Sequence, residues 1–328
     1  MIIVTGGVGF IGSCIVAKLD ELDIHDVYVV DWLGTDDRWK NVAKHEVGGI
    51  ILPEQLDEFL EEHKSEVTAV INMGAISTTT ESDVDKILRN NQQLAWKLWC
   101  FCRDNNAQFI YASSAATYGS GEHGFVDNAD LDYLKSLRPL NPYGWSKASF
   151  DVKGARELAE GRATPKQYAG LKFFNVYGPN EYHKGGQKSV IAHIFPAVKR
   201  NEPVKLFKSY RPDYKDGWQL RDFVYVKDVV DVIVWLLRNP QVSGLFNVGT
   251  GKARSFYDLA KATWNAMGLE EKITFVDMPE NIRDRYQYFT EADMTKLRAA
   301  GYDKPMTSLE EGVADYVINY LNKEDPYL

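Results

Sequence analysis

Short apolar runs alternate with segments of helical periodicity along the first half of the chain. The pattern predicts buried strands at 1–4, 27–30, 49–52, 67–72 and 108–111, with helices at 14–22, 53–63 and 83–104. Strands and helices that alternate in this way form a parallel sheet with helices on both faces. We therefore expect an α/β fold built on a doubly wound parallel sheet.

The regular alternation ends in the second half of the chain. A further strand is predicted at 171–175, and the chain is expected to return to the sheet at 222–226 and 244–249. We therefore expect a smaller α/β substrate domain that is interleaved in sequence with the sheet domain. The expected sheet domain comprises residues 1–173, 225–251 and 300–313, and the expected substrate domain comprises 174–224, 252–299 and 314–328.

Composition and charge exclude several classes of protein. The chain has 328 residues, 45% of them hydrophobic and 26% charged, which is typical of a soluble globular protein. A net charge of −8 without a basic run argues against nucleic acid as a partner, and no apolar run approaches membrane-spanning length. Met1 leads directly into a strand with no basic leader, and the three cysteines offer no disulfide framework or metal-binding spacing. We expect a cytoplasmic protein without a metal site.

Three glycines follow the first predicted strand at the spacing of a dinucleotide-binding loop. Gly6, Gly9 and Gly12 allow a tight turn, close approach of the backbone to a pyrophosphate, and close packing of helix on strand. The second strand ends on Asp31, roughly 20 residues further on, where a ribose-binding carboxylate is expected. The loop therefore predicts a site for a nicotinamide dinucleotide.

The identity of that dinucleotide is left open by the residues after the second strand. Asp31 favours NAD, because a carboxylate hydrogen-bonds a free ribose 2′-hydroxyl. Arg38 and Lys40 favour NADP, because two cations nearby can neutralise a 2′-phosphate, although both are also typical of a solvated loop. The two signals conflict.

A phenol and an ammonium stand four positions apart at the start of a predicted helix. Pro142 is favoured in a first turn, and residues i and i+4 share a helix face, so Tyr143 and Lys147 are expected to point into one site. An adjacent ammonium favours the phenolate and lowers the pKa of the phenol. Ser114, at the end of the fifth strand, is expected to lie beside Tyr143. Alone, the Tyr and Lys spacing is typical of a solvated helix face, but beside a dinucleotide loop it predicts proton transfer.

Three motifs together carry a resemblance to a known family. TGGVGFIG at 5–12, SSAATYG at 113–119 and YGWSK at 143–147 resemble the extended short-chain dehydrogenase/reductase family, whose members act on nucleotide sugars. Segments 74–81, 174–179, 183–185, 221–226 and 285–287 resemble its branch of ADP-heptose 6-epimerases. The resemblance implies a Rossmann-type cofactor domain, NADP as cofactor with NAD as the alternative, an ADP-heptose substrate of lipopolysaccharide core synthesis, and a homo-oligomer, which is a homopentamer in the family.

The resemblance also implies a role for each matching residue. Ser114, Tyr143 and Lys147 match the catalytic triad, and Lys184 matches a second acid/base group. The residues expected to hold the cofactor are Gly6, Gly9, Phe10, Ile11, Gly12, Asp31, Trp32, Arg38, Met73, Gly74, Ala75, Ser77, Asn90, Lys147 and Val176. The residues expected to hold the ADP-sugar are Ser114, Asn175, Lys184, His193, Phe207, Arg221 and Tyr286.

The roles of some residues come only from the resemblance, and at other positions this chain differs from the family. Without the resemblance, Lys184 is typical of a surface charge and His193 of a core histidine. Gly186 stands where the family usually has Ser. Segment 208–220 is longer than in the family. It could be a substrate lid, an oligomer contact or a solvated loop, and we favour the solvated loop.

The same motifs also bear on alternative functions, both within the family and outside it. A 4-epimerase needs no second base, and a 4,6-dehydratase places Asp-Glu where this chain has Ala115 and Ala116. A cofactor-binding regulator without catalysis is disfavoured, because Tyr143 and Lys147 are both present.

Overall fold

A computed structural model describes residues 1–283 and 286–328. The strands in these ranges are β1 Ile2–Thr5, β2 Val27–Val30, β3 Gly49–Ile51, β4 Ala69–Asn72, β5 Gln108–Ser114, β6 Gln167–Phe173, β7 Asn175–Tyr177, β8 Val204–Phe207, β9 Leu220–Tyr225, β10 Gly244–Val248, β11 Ala253–Ser255 and β12 Ile273–Val276. The α-helices are α1 Phe10–Glu21, α2 Leu56–Glu62, α3 Val84–Ile87, α4 Leu94–Asp104, α5 Leu131–Ser136, α6 Pro142–Ala159, α7 Val190–Lys199, α8 Val226–Arg238, α9 Phe256–Ala266, α10 Glu280–Arg283, α11 Thr295–Ala299 and α12 Leu309–Tyr316. A π-helical stretch, Leu88–Gln93, joins α3 to α4.

Seven strands form one parallel sheet in the order β10-β6-β5-β4-β1-β2-β3. Helices cover both of its faces, which confirms the predicted doubly wound sheet. On one face α1 and α8 pack through residues such as Ile15 and Ile233, and on the other α4 and α6 pack through residues such as Trp99 and Phe150. Each fully buried side chain of this size contributes about 1.5–3 kcal/mol to folding.

The predicted return to the large sheet is correct at one position and wrong at the other. Strand β10 pairs with β6, as expected for 244–249. The segment 222–226 instead lies mostly in β9, the central strand of a separate sheet β11-β9-β7, while β12 and β8 form a third. Strand β9 is buried along almost its whole length, and an apolar run alone does not reveal which sheet a strand joins.

The carboxyl ends of the central strands define one edge of the molecule. Thr5, Asn72 and Tyr111 are register partners on β1, β4 and β5, so the loops that follow these strands emerge side by side. Strand β5 continues three residues beyond its predicted end, because Ala112 to Ser114 stay paired with β6. Ser114 is thereby carried out to the edge where ligands of such sheets bind.

No helix among the described residues is long and apolar enough to cross a lipid bilayer.

Candidate active site

The loop between β1 and α1 has no room for side chains at two of its glycines. A Cβ atom on Gly6 would lie 2.6 Å from the Gly74 nitrogen, and a Cβ on Gly12 would lie 2.1 Å from the Gly6 carbonyl oxygen. Gly6 also has φ +66°, a conformation that favours glycine. The N-terminus of α1, capped by Gly9 and beginning with Phe10 and Ile11, therefore lies open to a ligand at the positive end of its dipole. This geometry fits the pyrophosphate of a dinucleotide.

Asp31 lies at the end of β2 beside the glycine loop. Its carboxylate accepts hydrogen bonds from the Val8 amide at 3.1 Å and the Trp32 amide at 2.8 Å. Burial raises the pKa of Asp31, and the amide hydrogen bonds oppose the shift. The position fits a partner for a ribose hydroxyl. The Trp32 ring itself is 46% exposed.

Both cations after β2 are paired with carboxylates of their own loop. Arg38 donates to Asp36 through Nε at 3.1 Å and Nη2 at 3.0 Å, a bidentate ion pair, and Lys40 lies 3.0 Å from Asp37. Any 2′-phosphate bound here has to compete with Asp36 for the Arg38 guanidinium.

The loop after β4 lies directly against the glycine loop. The Met73 amide donates to the Thr5 carbonyl oxygen at 3.1 Å, and the Gly74 amide donates to Thr5 Oγ1 at 3.2 Å. Ala75 is partly buried and Ser77 is exposed, with the Ser77 carbonyl oxygen 3.5 Å from Gln187 Nε2. The small residues of this loop thus line the same edge as Gly6.

The two asparagines of the following helix lie in different surroundings, and the predicted contact of Asn90 with the cofactor stays a prediction. Asn90 lies on the outer side, where its amide donates to the Lys86 carbonyl oxygen at 2.8 Å. Asn91 is buried, and its Oδ1 accepts from the Ile76 amide at 2.8 Å. Its Nδ2 donates to the Ile76 carbonyl oxygen at 3.0 Å and to Ser146 Oγ at 3.0 Å. Asn91 therefore connects the loop after β4 to α6. Its spacing of four from the buried Ile87 and Ala95 is the sequence signal that identifies it.

Tyr143 contacts Ser114, and Tyr143 and Lys147 lie four positions apart on α6. Asn141 caps α6 by accepting from the Gly144 amide at 2.8 Å, which sets Tyr143 in the first turn. Burial raises the pKa of Tyr143, and a hydrogen bond with Ser114 opposes that shift. Lys147 is 2% exposed, and burial lowers the pKa of its ammonium to about 8. The two pKa values therefore move apart, and the lowering of the Tyr143 pKa that was expected from the Lys147 ammonium is not found.

Lys184 faces the glycine loop, so its interpretation as a surface charge is wrong. It lies in a 3-10 segment, Tyr182–Gln187, and its ammonium stands 5.2 Å from the centre of the Phe10 ring. Burial lowers the pKa of Lys184, and the negative charge of Glu181 opposes the shift. Glu181 is itself fixed by the Ser189 amide at 2.5 Å and hydroxyl at 2.6 Å. A second partly desolvated amine therefore stands beside the cofactor loop.

His193 is exposed on α7, so its interpretation as a core histidine is wrong. Its Nε2 lies 3.2 Å from the Gly186 carbonyl oxygen, which connects α7 to the loop that carries Lys184. The apolar neighbours of His193 point inward while His193 itself occupies the outer side of the helix. A contact of His193 with the ADP-sugar stays a prediction.

Arg221 is 7% exposed and lies between two aromatic rings. Its guanidinium carbon is 5.3 Å from the Tyr286 ring centre and 5.7 Å from that of Phe256. Burial lowers the pKa of Arg221, which also donates to the carbonyl oxygens of Leu220 and Gln287. Because the Gln287 side chain donates to the Gly119 carbonyl oxygen at 2.7 Å, this cluster is joined to the turn that follows Ser114.

The remaining predicted residues are spread around the same region. Asn175 is exposed at the start of β7, Val176 beside it is partly buried, and Phe207 is partly buried at the end of β8. Their ligand contacts stay predictions. Arg285, part of the motif at 285–287, lies outside the described residues.

Segment 208–219, which precedes β9, is a loop without helix or strand, but its aromatic residues anchor it. The Tyr210 amide donates to the Tyr288 hydroxyl at 2.9 Å, and the Arg211 guanidinium lies 5.3 and 5.2 Å from the ring centres of Tyr214 and Tyr288. The longer segment is therefore tied to residues next to Tyr286.

The chain belongs to the NAD dependent epimerase/dehydratase family, whose family model matches residues 2–249. A curated relative that is 52% identical, with 100% of each chain covered, is the ADP-L-glycero-D-manno-heptose-6-epimerase of Fusobacterium nucleatum. The crystal structure of the enzyme of the same name from Helicobacter pylori is similar, with a TM-score of 0.78 and 27% identity over 97% of this chain and 95% of that chain. A Thermus thermophilus UDP-glucose 4-epimerase in complex with NAD is similar with a TM-score of 0.71 and 26% identity, over 96% and 97% of the two chains.

Proposed function

We propose that the protein is an epimerase that interconverts ADP-D-glycero-D-manno-heptose and ADP-L-glycero-D-manno-heptose at C6, for lipopolysaccharide core synthesis. The proposal is supported by two candidate proton-transfer groups from different segments. Tyr143 lies on α6, which Asn91 joins to the loop after β4, and Lys184 lies beside Phe10 at the start of α1. Full-length relatives with this activity in their names support the choice of sugar.

The chemistry divides between the cofactor and the side chains. When bound, the nicotinamide supplies reversible hydride transfer at the C6 carbinol, so no net oxidant is consumed. Tyr143, as phenolate, accepts the C6 hydroxyl proton, and Ser114 hydrogen-bonds the same oxygen. Lys147 holds the nicotinamide ribose, and its charge favours the phenolate. After the planar C6 carbonyl has rotated, hydride would return to its opposite face while Lys184 gives a proton to the oxygen. Proton exchange with water would then restore Tyr143 and Lys184 to their starting states.

The test is the stereochemistry of the product. Purified protein incubated with ADP-D-glycero-D-manno-heptose is expected to form the L-glycero product, measured by NMR. Tyr143→Phe and Lys184→Met are both expected to lose inversion, since each removes one proton-transfer group. Tyr133→Phe and Lys188→Met remove the same chemical groups elsewhere and are expected to keep it.

The alternatives give different results in the same assay. Full inversion in both Tyr143→Phe and Lys184→Met refutes the assignment. Activity that is lost only in Tyr143→Phe indicates an epimerase with a single base, as proposed for the 4-epimerases, and an elimination product indicates a 4,6-dehydratase.

We further propose NADP as the preferred cofactor. The support is Arg38, whose guanidinium lies on the loop after Asp31 and is about one third exposed, at 31%. A 2′-phosphate carries more negative charge than the Asp36 carboxylate and competes for the same bidentate donors. NADP is expected to bind more tightly than NAD, and Arg38→Ala is expected to remove the difference. Equal affinities in the wild-type protein refute the preference.

We also propose a cytoplasmic location and a homo-oligomer. Cys14, Cys100 and Cys102 are free thiols, which fits a reducing compartment. Exposed apolar side chains such as Trp145 and Leu140 offer a surface on which subunits can associate. Light scattering of the purified protein measures the number of subunits.

A further inference from the structure

A fully buried ion pair lies beneath the catalytic helix. The Lys172 ammonium on β6 is 2.6 Å from Asp151 Oδ2 on α6, and both side chains are 0% exposed. Lys172 is a charged residue in a strand whose residues are all buried, so its charge requires a partner. The sequence signal for this pair is therefore the lone cation in that strand.

Three hydroxyl groups, two from β5 and one from the turn that follows it, complete the pair. Ser113 donates to Asp151 Oδ2 at 2.7 Å, and the Tyr111 hydroxyl donates to Asp151 Oδ1. Lys172 donates to Thr117 Oγ1 at 2.8 Å. The two charges are thus held in one orientation, with the carboxylate on α6 and the ammonium on the sheet.

The negative end of the pair lies closest to the catalytic residues. Asp151 follows Lys147 by four positions and Tyr143 by eight, which places all three on one face of α6. On the sheet side, Lys172 is the register partner of Ser113, the residue before Ser114. The ion pair therefore contacts both elements that carry the catalytic triad.

Other charged and titratable groups also surround the pair. The Lys172 ammonium lies 4.8 Å from the Tyr118 ring centre. Burial and the charge of Lys172 lower the pKa of Lys296, and the charge of Asp127 opposes this shift. Tyr168 hydroxyl lies 3.3 Å from that of Tyr111. The groups that influence Tyr143 are Ser114 and Asp151.

Stability alone does not account for this arrangement. Replacing a buried ion pair with apolar residues of similar volume is often neutral or stabilising, because desolvation of two charges offsets their attraction. We propose that Asp151 and Lys172 are positioning residues that orient α6 and set the pH range over which Tyr143 and Lys147 transfer protons. The inference deepens the proposed function and rests on its assignment of these two residues.

The sign of the effect follows from the charge of Asp151. A carboxylate near a phenol and an ammonium raises the pKa of both groups, and Asp151 acts in this direction on Tyr143 and on Lys147. Asp151, rather than Lys172, is the member of the pair that acts on both groups. Removing the carboxylate is therefore expected to move both titrations to lower pH.

The experiment measures inversion against pH for the protein with its bound cofactor. Asp151→Asn is expected to shift both limbs of the profile to lower pH by about one unit. The double variant Asp151→Asn, Lys172→Met leaves no unpaired buried charge, so it is expected to fold even if the single variant does not. Both limbs of its pH profile are expected to shift in the same direction. Tyr168→Phe, which removes a neutral hydroxyl from the same cluster, is expected to leave both limbs in place.

A second readout needs no sugar substrate and so separates this inference from the proposed function. The phenolate absorbance of each protein, less that of its Tyr143→Phe counterpart, reports the titration of Tyr143. Its midpoint is expected to fall in both Asp151 variants. A folded double variant that keeps the wild-type midpoint of the Tyr143 titration and both wild-type limbs of the pH profile overturns the inference. A shifted midpoint in a protein that does not act on ADP-heptose contradicts only the proposed function.

Discussion

Gly12→Ala tests whether the close packing of α1 on the loop after β1 creates the cofactor site. The added Cβ would lie 2.1 Å from the Gly6 carbonyl oxygen, 2.8 Å from its carbon and 2.9 Å from Gly7 Cα, whereas ordinary contact begins near 3.4 Å. All three atoms belong to the backbone, so no change of rotamer can relieve the overlap. The helix and the loop must therefore separate.

The loop has little freedom to move away. The Gly6 amide donates to the Val30 carbonyl oxygen at 2.8 Å, and a Cβ on Gly6 would already overlap Gly74. Overpacking of this kind lowers the free energy of unfolding by about 1–3 kcal/mol. In a chain of 328 residues that corresponds to a fall in Tm of roughly 1.5–4.5 °C. The N-terminus of α1 is displaced at the same time, so we expect a loss of about 100-fold in turnover for a misplacement near 1 Å.

Calorimetry measures the fall in Tm, titration with NADP measures cofactor affinity, and the inversion assay measures turnover. Gly186→Ala is the matched control, because its Cβ would meet no atom within 4 Å. We expect the control to keep the wild-type Tm and cofactor affinity. A Gly12→Ala protein that keeps both would show that the loop yields easily and that its close packing does not define the site.

Three further predictions concern residues around the same edge. Asn91→Ala is expected to weaken cofactor binding, since it separates Ile76 from Ser146, while Asn90→Ala is expected to bind as the wild type in the same titration. Burial lowers the pKa of His183 from 6.5 to about 4, so its neutral form contributes stability that is complete above pH 6.5 and is lost as the pH falls through 4. His183→Asn should therefore lose less stability over that range in thermal unfolding; an unchanged acid dependence would contradict the assignment. Gly186→Ser fits without a clash and is expected to lower KM by about two- to tenfold through one hydrogen bond, and an unchanged KM would place the missing contact elsewhere.

The sequence was most informative where local pattern and local chemistry coincide. The central strands were predicted within a few residues, because an apolar strand in a parallel sheet is buried on both faces and reads as a continuous run. The glycine loop was equally clear, since its spacing reflects contacts made within a dozen residues. Tyr143 and Lys147 were placed together because residues i and i+4 share a helix face, and Ser114 was placed beside them from its position at a strand end.

Predictions failed where the environment of a residue depends on distant segments. From the residues alone, Lys184 was interpreted as a surface charge and His193 as a core histidine, whereas Lys184 is partly buried and His193 is exposed. The burial of Lys184 depends on Phe10, which is more than 170 positions away. The pairing of β9 is set by β7 and β11, which its own apolar pattern does not identify. Asn91 was within reach of the sequence, because its position on the apolar stripe of the helix distinguishes it from Asn90.

The strand order also constrains how the chain can be synthesised and recombined. Strand β10 closes the edge of the large sheet, yet residues 175–225, which include β7, α7, β8 and β9, are translated before it. The sheet therefore cannot be completed until the ribosome has passed Val248, and β6 has an unpaired edge until then. A chimera that exchanges sugar specificity between relatives consequently requires crossovers on both sides of β10 rather than one simple fusion point.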